Sequence, residues 1–554
     1  MYTPEIAPLG SLMTSALVAL LPLAVMFLTL GGLKWKAHWA GLTSLATAMI
    51  VAVVAFKMPI GMTVLSATQG AVFGLFPITW IVLTAIWLYQ VTVVSGRFED
   101  LRATFGLISD DPRVLAILIA FCFGGLMEAL AGFGAPVAIT GVMLMSVGFS
   151  AFRAAMVVLL ANTAPVAFGA VAIPIITAGN LTGIDYHHIG AYVGHQSPVL
   201  AFFVPMLLVL LADGKRGLKQ TWPVGLVIGA SFAVAQWISA TYISVELTDV
   251  IASLVALAAG VIFMRFWTPQ GGEAALERMA AERTKENLTP VETAHAPAGA
   301  LTGGRIAMAL FPYLLVIVVF VIAKLVAPVQ AFLASTDVKI QWPGLYGQLM
   351  TVDGKVSGTA VYTFSWLSGP GTLLLITGFI VALVYRVSFA DMAKELWNTA
   401  YKMRFSALTI ASVLALAYVM NFSGQTINIG YWIAGVGAAY AFFAPILGWV
   451  GTAVTGSDTS ANALFATLQQ ATGNQIGVDP ALLVAANTTG GVVGKMISPQ
   501  NLAIAASAVG LLGSESAIFR KVIWWSLGML FVLCLLIGLQ STPVLSWMLP
   551  HYPS

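Results

Sequence analysis

The sequence predicts an all-α, polytopic membrane protein with two inverted repeats, broken or re-entrant helices and about 12–14 transmembrane segments. Three observations carry that expectation. Of the 554 residues, 59% are hydrophobic and only 8% are charged, against about 25% charged in ordinary soluble domains. Uncharged runs are long, and the longest, Phe405 to Ser457, must hold at least two spans, because a helix needs about 20 apolar residues to cross the hydrocarbon core. Two blocks rich in Gly, Ser, Thr and Asn interrupt this apolar sequence. Non-helical backbone at membrane depth is tolerated only where it is buried in protein or lines a wet cavity.

Taken in order, spans are expected near 11–33, 39–56, 74–95, 114–130, 134–150, 154–178, 191–211, 221–243, 250–267, 306–327, 366–385, 405–421, 429–450, 481–494, 500–513 and 522–540. Several are too short or too Gly/Pro-broken to cross alone. The N-terminus has Glu5 and no basic region before its first apolar run, so it reads as a first span, not a cleaved signal. Basic residues cluster at Lys34/Lys36, Arg97/Arg102/Arg113, Lys215/Arg216/Lys219, Arg265 to Arg305, Arg386/Lys394/Lys402/Arg404 and Arg520/Lys521. By the positive-inside rule these loops face the cytoplasm, and counting spans puts both termini outside. Residues 268–304 are the only long charged stretch, read as a short surface helix followed by a flexible linker. They divide the chain into a first transmembrane half, 1–267 with its core at 74–211, a cytoplasmic loop, 268–304, and a second half, 305–554 with its core at 405–513. The formal charge of +3 is small and dispersed, so nothing points to nucleic acid. Cys122 and Cys534 lie inside apolar segments and read as buried free thiols.

The halves repeat. At an offset of 325, Ala161-Asn162-Thr163 aligns with Ala486-Asn487-Thr488, Gly169 with Gly494 and Pro174 with Pro499. Upstream, Gly132 follows Glu128 by four and Gly456 follows Thr452 by four. Corresponding helices run in opposite directions, so the repeat is inverted, which is the arrangement of secondary transporters with midplane sites.

Gly456-Ser457-Asp458-Thr459-Ser460 suits a helix start with a side-chain cap. Such a start presents free N–H groups and a positive dipole end, which favour an anion. The same is expected of Asn487-Thr488-Thr489-Gly490-Gly491, with glycines for close backbone approach. Ser498-Pro499-Gln500 supplies a third interruption. In the first block Gly124, Glu128 and Gly132 share one helix face, placing the acid on a small-residue seam. Gly132 to Pro136 then breaks that helix, and Asn162, Thr163 and Pro165 interrupt the chain again.

Lys495 reads either as the cation that meets a carboxylate or as a partner for Asp458 or an interfacial side chain. Asp458 and Glu128 are isolated acids, each a candidate proton carrier or a cap and ion-pair partner. The Asn-Thr pairs read as ligand groups or as interhelical hydrogen bonds. His187, His188 and His195 fit an interfacial loop. No spacing suggests a metal site, a phosphate loop or a nucleophile elbow, and no cofactor or catalytic residue is expected.

EALAGFGAPVAIT at 128–140, NTAPVAFGAVAIPI at 162–175, GSDTSANALF at 456–465 and NTTGGVVGKMISPQ at 487–500 resemble the bacterial L-lactate permease family along nearly the whole chain. The resemblance implies a multi-pass symporter of the bacterial cytoplasmic membrane that carries L-lactate, with D-lactate and glycolate, together with protons. More distantly it implies the wider ion-transporter superfamily, in which paired Asn-Thr turns hold substrate. Sodium-coupled members have Ser before the pair; here it is Ala161 and Ala486, which favours protons. The expected substrate groups are Asn162, Thr163, Ser457, Asn487, Thr488, Lys495 and Gln500, with Asp458 and Glu128 for proton coupling. The expected partners are a small 2-hydroxy monocarboxylate, protons and the bilayer; a homo-oligomer is compatible with the sequence. The rival readings are a passive channel or facilitator for monocarboxylates, a sodium-coupled carboxylate transporter, a membrane-embedded enzyme and a receptor-like sensor.

Overall fold

A computed structural model describes residues 1–33, 35–100, 108–130, 132, 134–286, 302–352, 354–511 and 514–550. Among the described residues eight helices are long and apolar enough to cross a membrane, and shorter apolar helices of 10–17 residues fill the interior between them. The chain is an all-α polytopic membrane protein. Among the described residues the departure is a two-stranded antiparallel pair, Val338–Gln341 with Val361–Phe364, between the spans expected at 306–327 and 366–385. Alternating β-branched and aromatic residues there favour a pleated pair over a helix. The spans expected at 191–211 and 221–243 are two helical arms within Ser197–Ile238 that meet at a sharp turn at Asp213-Gly214, where Gly214 has φ +68°, and pack on each other, a Cβ on Gly229 lying 2.2 Å from the Phe202 carbonyl. Gly214 has no Cβ to oppose that angle.

The most enclosed span is Pro112–Leu130, whose residues are all buried. Interior helices of this kind are apolar all round, and Ile117–Phe123 within it is ILIAFCF. Two hairpins flank the centre. In the first, Gly124–Leu130 turns at Gly134, φ +84°, into Ala135–Ser146. In the second, Tyr440–Thr455 turns at Gly456, φ +78°, into Asp458–Ile476. Each turn places glycine in the left-handed region, which other residues enter at a cost.

Each hairpin is followed by an interrupted helix. Ala151–Ala161 ends at Asn162, and the chain turns without regular structure through Phe168 before Gly169–Thr182. Pro480–Gly494 ends at Lys495 in a 3-10 turn, Lys495–Ile497, before Pro499–Ala508. The segments after the breaks are exchanged between the halves: Gly169–Thr182 packs against Asp458–Ile476, and Pro499–Ala508 packs against Ala135–Ser146.

The helix expected in the charged loop is present at Gly272–Lys285; the linker expected after it, 287–301, lies outside the described residues. The helix is docked, not free at the surface, with Ala275, Met279 and Arg283 buried. Arg283 Nη1 donates to the carbonyls of Met145 and Phe149 at 3.1 and 2.7 Å. Fully buried Arg113 joins the same end of the bundle, donating to Asp111 at 2.6 Å, Asp213 at 3.2 Å and Gln220 at 2.5 Å. Charge-assisted bonds of this number offset the cost of enclosing the guanidinium.

Candidate functional site

The four parts of the two blocks meet at the centre. Glu128, two residues before the end of its helix, and Lys495, at the end of Pro480–Gly494, form a buried ion pair, Nζ to Oε1 2.5 Å. Their side chains are 3% and 8% exposed. Glu128 belongs to the first half and Lys495 to the second, so one pair ties the halves together. An interior ion pair holds only when its geometry is good and both members are present.

Gly169 makes the pairing sterically feasible. A Cβ there would sit 2.9 Å from Glu128 Oε1. The backbone at Ala170, Val171 and Ala172 is left-handed, with φ of 45°, 59° and 58°. Such a conformation costs a non-glycine residue roughly 1–2 kcal/mol, and this turn is where the first half's chain passes Glu128.

Asn162 and Thr163 line a void with Lys495 and Asn501, too tight to hold a water molecule. Thr163 Oγ1 donates to the Leu160 carbonyl at 2.7 Å. Asn162 Oδ1 is buried and accepts no hydrogen bond. A buried acceptor left unpaired costs about 1–3 kcal/mol, so it marks a position where a donor would be stabilising. Asn501 bonds to the Lys495 carbonyl and Ser498 Oγ, both at 3.0 Å. A wider cavity of about 280 Å³ lies at the end of the bundle opposite the arginine network, between Asn180, Thr182, Asn421, Thr467 and Gln470.

The second Asn-Thr pair corrects the sequence reading. Asn487 to Gly491 is neither a helix start nor a break, because Pro480–Gly494 runs through it as one α-helix. Its glycines serve packing: a Cβ on Gly490 or Gly494 would collide with the Pro445 or Trp449 carbonyl of Tyr440–Thr455. Small residues let membrane helices approach this closely. The polar groups are spent inside the protein. Asn487 Nδ2 donates to Asn462 Oδ1 at 2.9 Å, Gln469 Nε2 donates to Asn487 Oδ1 at 3.3 Å, and Asn462 Nδ2 donates to Thr488 Oγ1 at 2.9 Å.

Asn462 and Gln469 were not singled out from the sequence. Asn462 lies within GSDTSANALF, and its bond to the Pro174 carbonyl at 3.0 Å crosses between the halves. An amide in an otherwise small-residue helix was the available signal.

The expected helix start at Ser457 is present: Ser457 caps Asp458–Ile476 by accepting from Ser460 N at 3.3 Å. Asp458 is buried in that first turn, 3.4 Å from Thr452 Oγ1, with Oδ2 unbonded. It lies against Gly491, where any Cβ would collide with it. Its partner is not Lys495, which pairs with Glu128. Gln500 is exposed and covers Gly456, whose Cβ would lie 2.5 Å from Gln500 Oε1; the structure does not bring it to the Asn162 void. Asn501 takes that place.

A sequence profile described as L-lactate permease matches residues 15–544. The L-lactate permease of Bacillus subtilis is 41% identical over 99% of this chain and 100% of its own length. The glycolate permease GlcA of Escherichia coli is 41% identical over 98% of both chains, and that organism's L-lactate permease is 38% identical over the same shares. Among solved structures, Neisseria gonorrhoeae MtrF aligns over 94% of this chain and 97% of its own, at 13% identity and a TM-score of 0.45.

Proposed function

The chain belongs to the L-lactate permease family and is a multi-pass membrane transporter, and from that premise we propose that it is a proton symporter for L-lactate and related 2-hydroxy monocarboxylates in the bacterial cytoplasmic membrane, working by alternating access. The observation that carries the reading is the buried Lys495–Glu128 pair beside the unpaired Asn162 acceptor. Lactate offers a carboxylate and a 2-hydroxyl. The carboxylate takes Lys495, and the hydroxyl donates to Asn162 Oδ1. Glu128 is thereby released from its cation inside a dry bundle, where an unpaired carboxylate is far more costly than a protonated one.

Glu128 therefore gains a proton as the anion binds, giving one proton per lactate and no net charge moved. Each unit of pH gradient then contributes about 1.4 kcal/mol to accumulation. Because Lys495 and Glu128 come from different halves, substrate exchange for Glu128 also loosens the contact between them, which supports coupling to a rocking motion of the two repeats. In this reading Thr163 closes the site, Asn487 and Thr488 hold its frame through Asn462, and Asp458 is a second buried acid of the second half.

Labelled L-lactate uptake into proteoliposomes with an alkaline interior tests this directly. Uphill uptake without sodium that collapses with a protonophore is expected. Uptake that only equilibrates would make the protein a facilitator, and an absolute sodium requirement would make it a sodium-coupled transporter.

A further inference from the structure

Beyond the pair already described, the interior holds a second, unassigned acid. Asp249 is fully buried in the first turn of Thr248–Met264. Its Oδ1 accepts from Gln236 Nε2 at 2.8 Å, and its Oδ2 has no partner. Gln236 is neutral, so Asp249 has no cation. One turn along lies Ser253, 1% exposed with its Oγ also unbonded. This face packs on the helix that carries Glu128: a Cβ on Gly125 would sit 2.7 Å from Ser253 Oγ. Glu128 Oε2 and Gln236 Oε1 are likewise buried and unpaired.

Toward the bundle end opposite the arginine network, the same segment continues to Glu246. It accepts from Tyr186 Oη and from Ser244 Oγ, each at 2.8 Å. Tyr186 is half-buried, and its neighbours Asp185 and His187 are exposed. Residues 246–249 thus carry two buried carboxyls, one bonded to the Tyr186 turn and one on the helix that packs against the helix of Glu128.

We infer that Asp249 is the acid that passes the coupled proton to Glu128, an inference that rests on the symport reading. Glu128 has the ammonium of Lys495, whereas Asp249 is buried with only a neutral amide beside it. While Glu128 holds Lys495, Asp249 is neutral and keeps its proton. When lactate takes Lys495, the Glu128 carboxylate loses its cation and becomes the stronger base, so the proton leaves the Asp249 carboxyl for Glu128. Asp249 regains one proton from water by way of Glu246, so each turnover moves one proton and one lactate.

The test compares wild type, Asp249→Asn and Asp249→Glu in proteoliposomes by two assays. One is uphill L-lactate accumulation with an alkaline interior. The other is lactate counterflow with the gradients abolished, which needs binding and reorientation but no net proton movement. Asp249→Asn is expected to lose at least about ten-fold in accumulation and to keep counterflow within about two-fold. Asp249→Glu is expected to retain accumulation with a shifted pH profile. Full accumulation by Asp249→Asn, or loss of counterflow in a variant that melts like the wild type, would overturn the assignment. If Asp249→Asn does not fold, an unshifted pH profile in Asp249→Glu overturns it. A wild type that shows no proton-driven accumulation would instead overturn the symport reading.

Discussion

The two Asn-Thr segments carry one sequence pattern, yet the chain is unwound after Asn162 and helical after Asn487. At the repeat offset APVAF at 164–168 stands against TGGVV at 489–493, and the change that acts directly on the backbone is Pro165, where the second half has Gly490. Proline removes a backbone donor and its ring collides with the preceding turn, at about 3 kcal/mol in a helix interior. Glycine keeps the donor, and its weak propensity is outweighed by close packing on Tyr440–Thr455. Both halves do break at the next matched place, Ala170–Ala172 against Lys495–Ile497. The outcome is chemical asymmetry. Asn162 is left with an unpaired acceptor, while Asn487 is saturated by Asn462 and Gln469. The first half supplies an open ligand group, and the second supplies a rigid frame and the cation.

The largest effect is expected where the halves are tied. Lys495→Ala leaves Glu128 buried without its cation, which should cost about 3–5 kcal/mol of stability and abolish accumulation. The double variant Glu128→Gln with Lys495→Met should recover most of that stability, since a buried pair replaced by neutral groups of similar volume is often near neutral. It should still fail to accumulate lactate. Melting curves and uptake on the same preparations separate the two outcomes; accumulation by the double variant would sink the coupling role of the pair.

Next comes the residue that makes the halves differ. Pro165→Ala removes the helix breaker, so residues 162–168 can wind into helix as residues 487–493 do. Uptake rate is expected to fall by about ten-fold or more with thermal stability unchanged or raised, the trade-off seen when a strained site is relaxed. The reciprocal change, Gly490→Pro, should cost about 3 kcal/mol or more, because it removes a helix donor and adds atoms against the Pro445 carbonyl. Wild-type uptake in Pro165→Ala would show that the unwound turn has no part in transport.

A third pair of variants separates ligand from frame. Asn162→Ala removes an acceptor that nothing in the protein uses, so stability should hold while KM for L-lactate rises by roughly two- to ten-fold, the worth of one hydrogen bond. Asn487→Ala strands Asn462 and Gln469, so stability should fall by about 1–3 kcal/mol, with the change in KM the smaller effect. The opposite ordering of the two variants would reverse the assignment of open and framing halves.

Sequence reasoning reached the membrane class, the glycine turn and cap at Gly456-Ser457 and the interruption at Ser498-Pro499, because each is set by local backbone chemistry. It missed what depends on distant partners. Lys495 and Glu128 lie 367 residues apart in the chain, and no spacing rule pairs them. Asn487-Thr488-Thr489-Gly490-Gly491 reads locally as a helix breaker, but the Pro445 and Trp449 carbonyls that make small residues useful there belong to another helix. Asp249 sits near the edge of an apolar run, where an acid ordinarily faces water; only the burial of the 244–248 turn places it inside.

The smallest effect is expected at Gln500, which motif position alone places among the substrate groups. Its side chain is exposed and lies over Gly456, and the lining of the Asn162 void includes Asn501 and not Gln500. An exposed amide that caps a turn contributes a few tenths of a kcal/mol, so Gln500→Ala should change KM by less than about two-fold. Asn501→Ala, by contrast, removes bonds to the Lys495 carbonyl and Ser498 Oγ that hold the broken segment in place. Its uptake should fall more than that of Gln500→Ala when both are assayed side by side. A larger KM defect at Gln500 would mean that Pro499–Ala508 turns during the transport cycle to bring that amide inward, so the frame attributed to the second half would itself be a moving part.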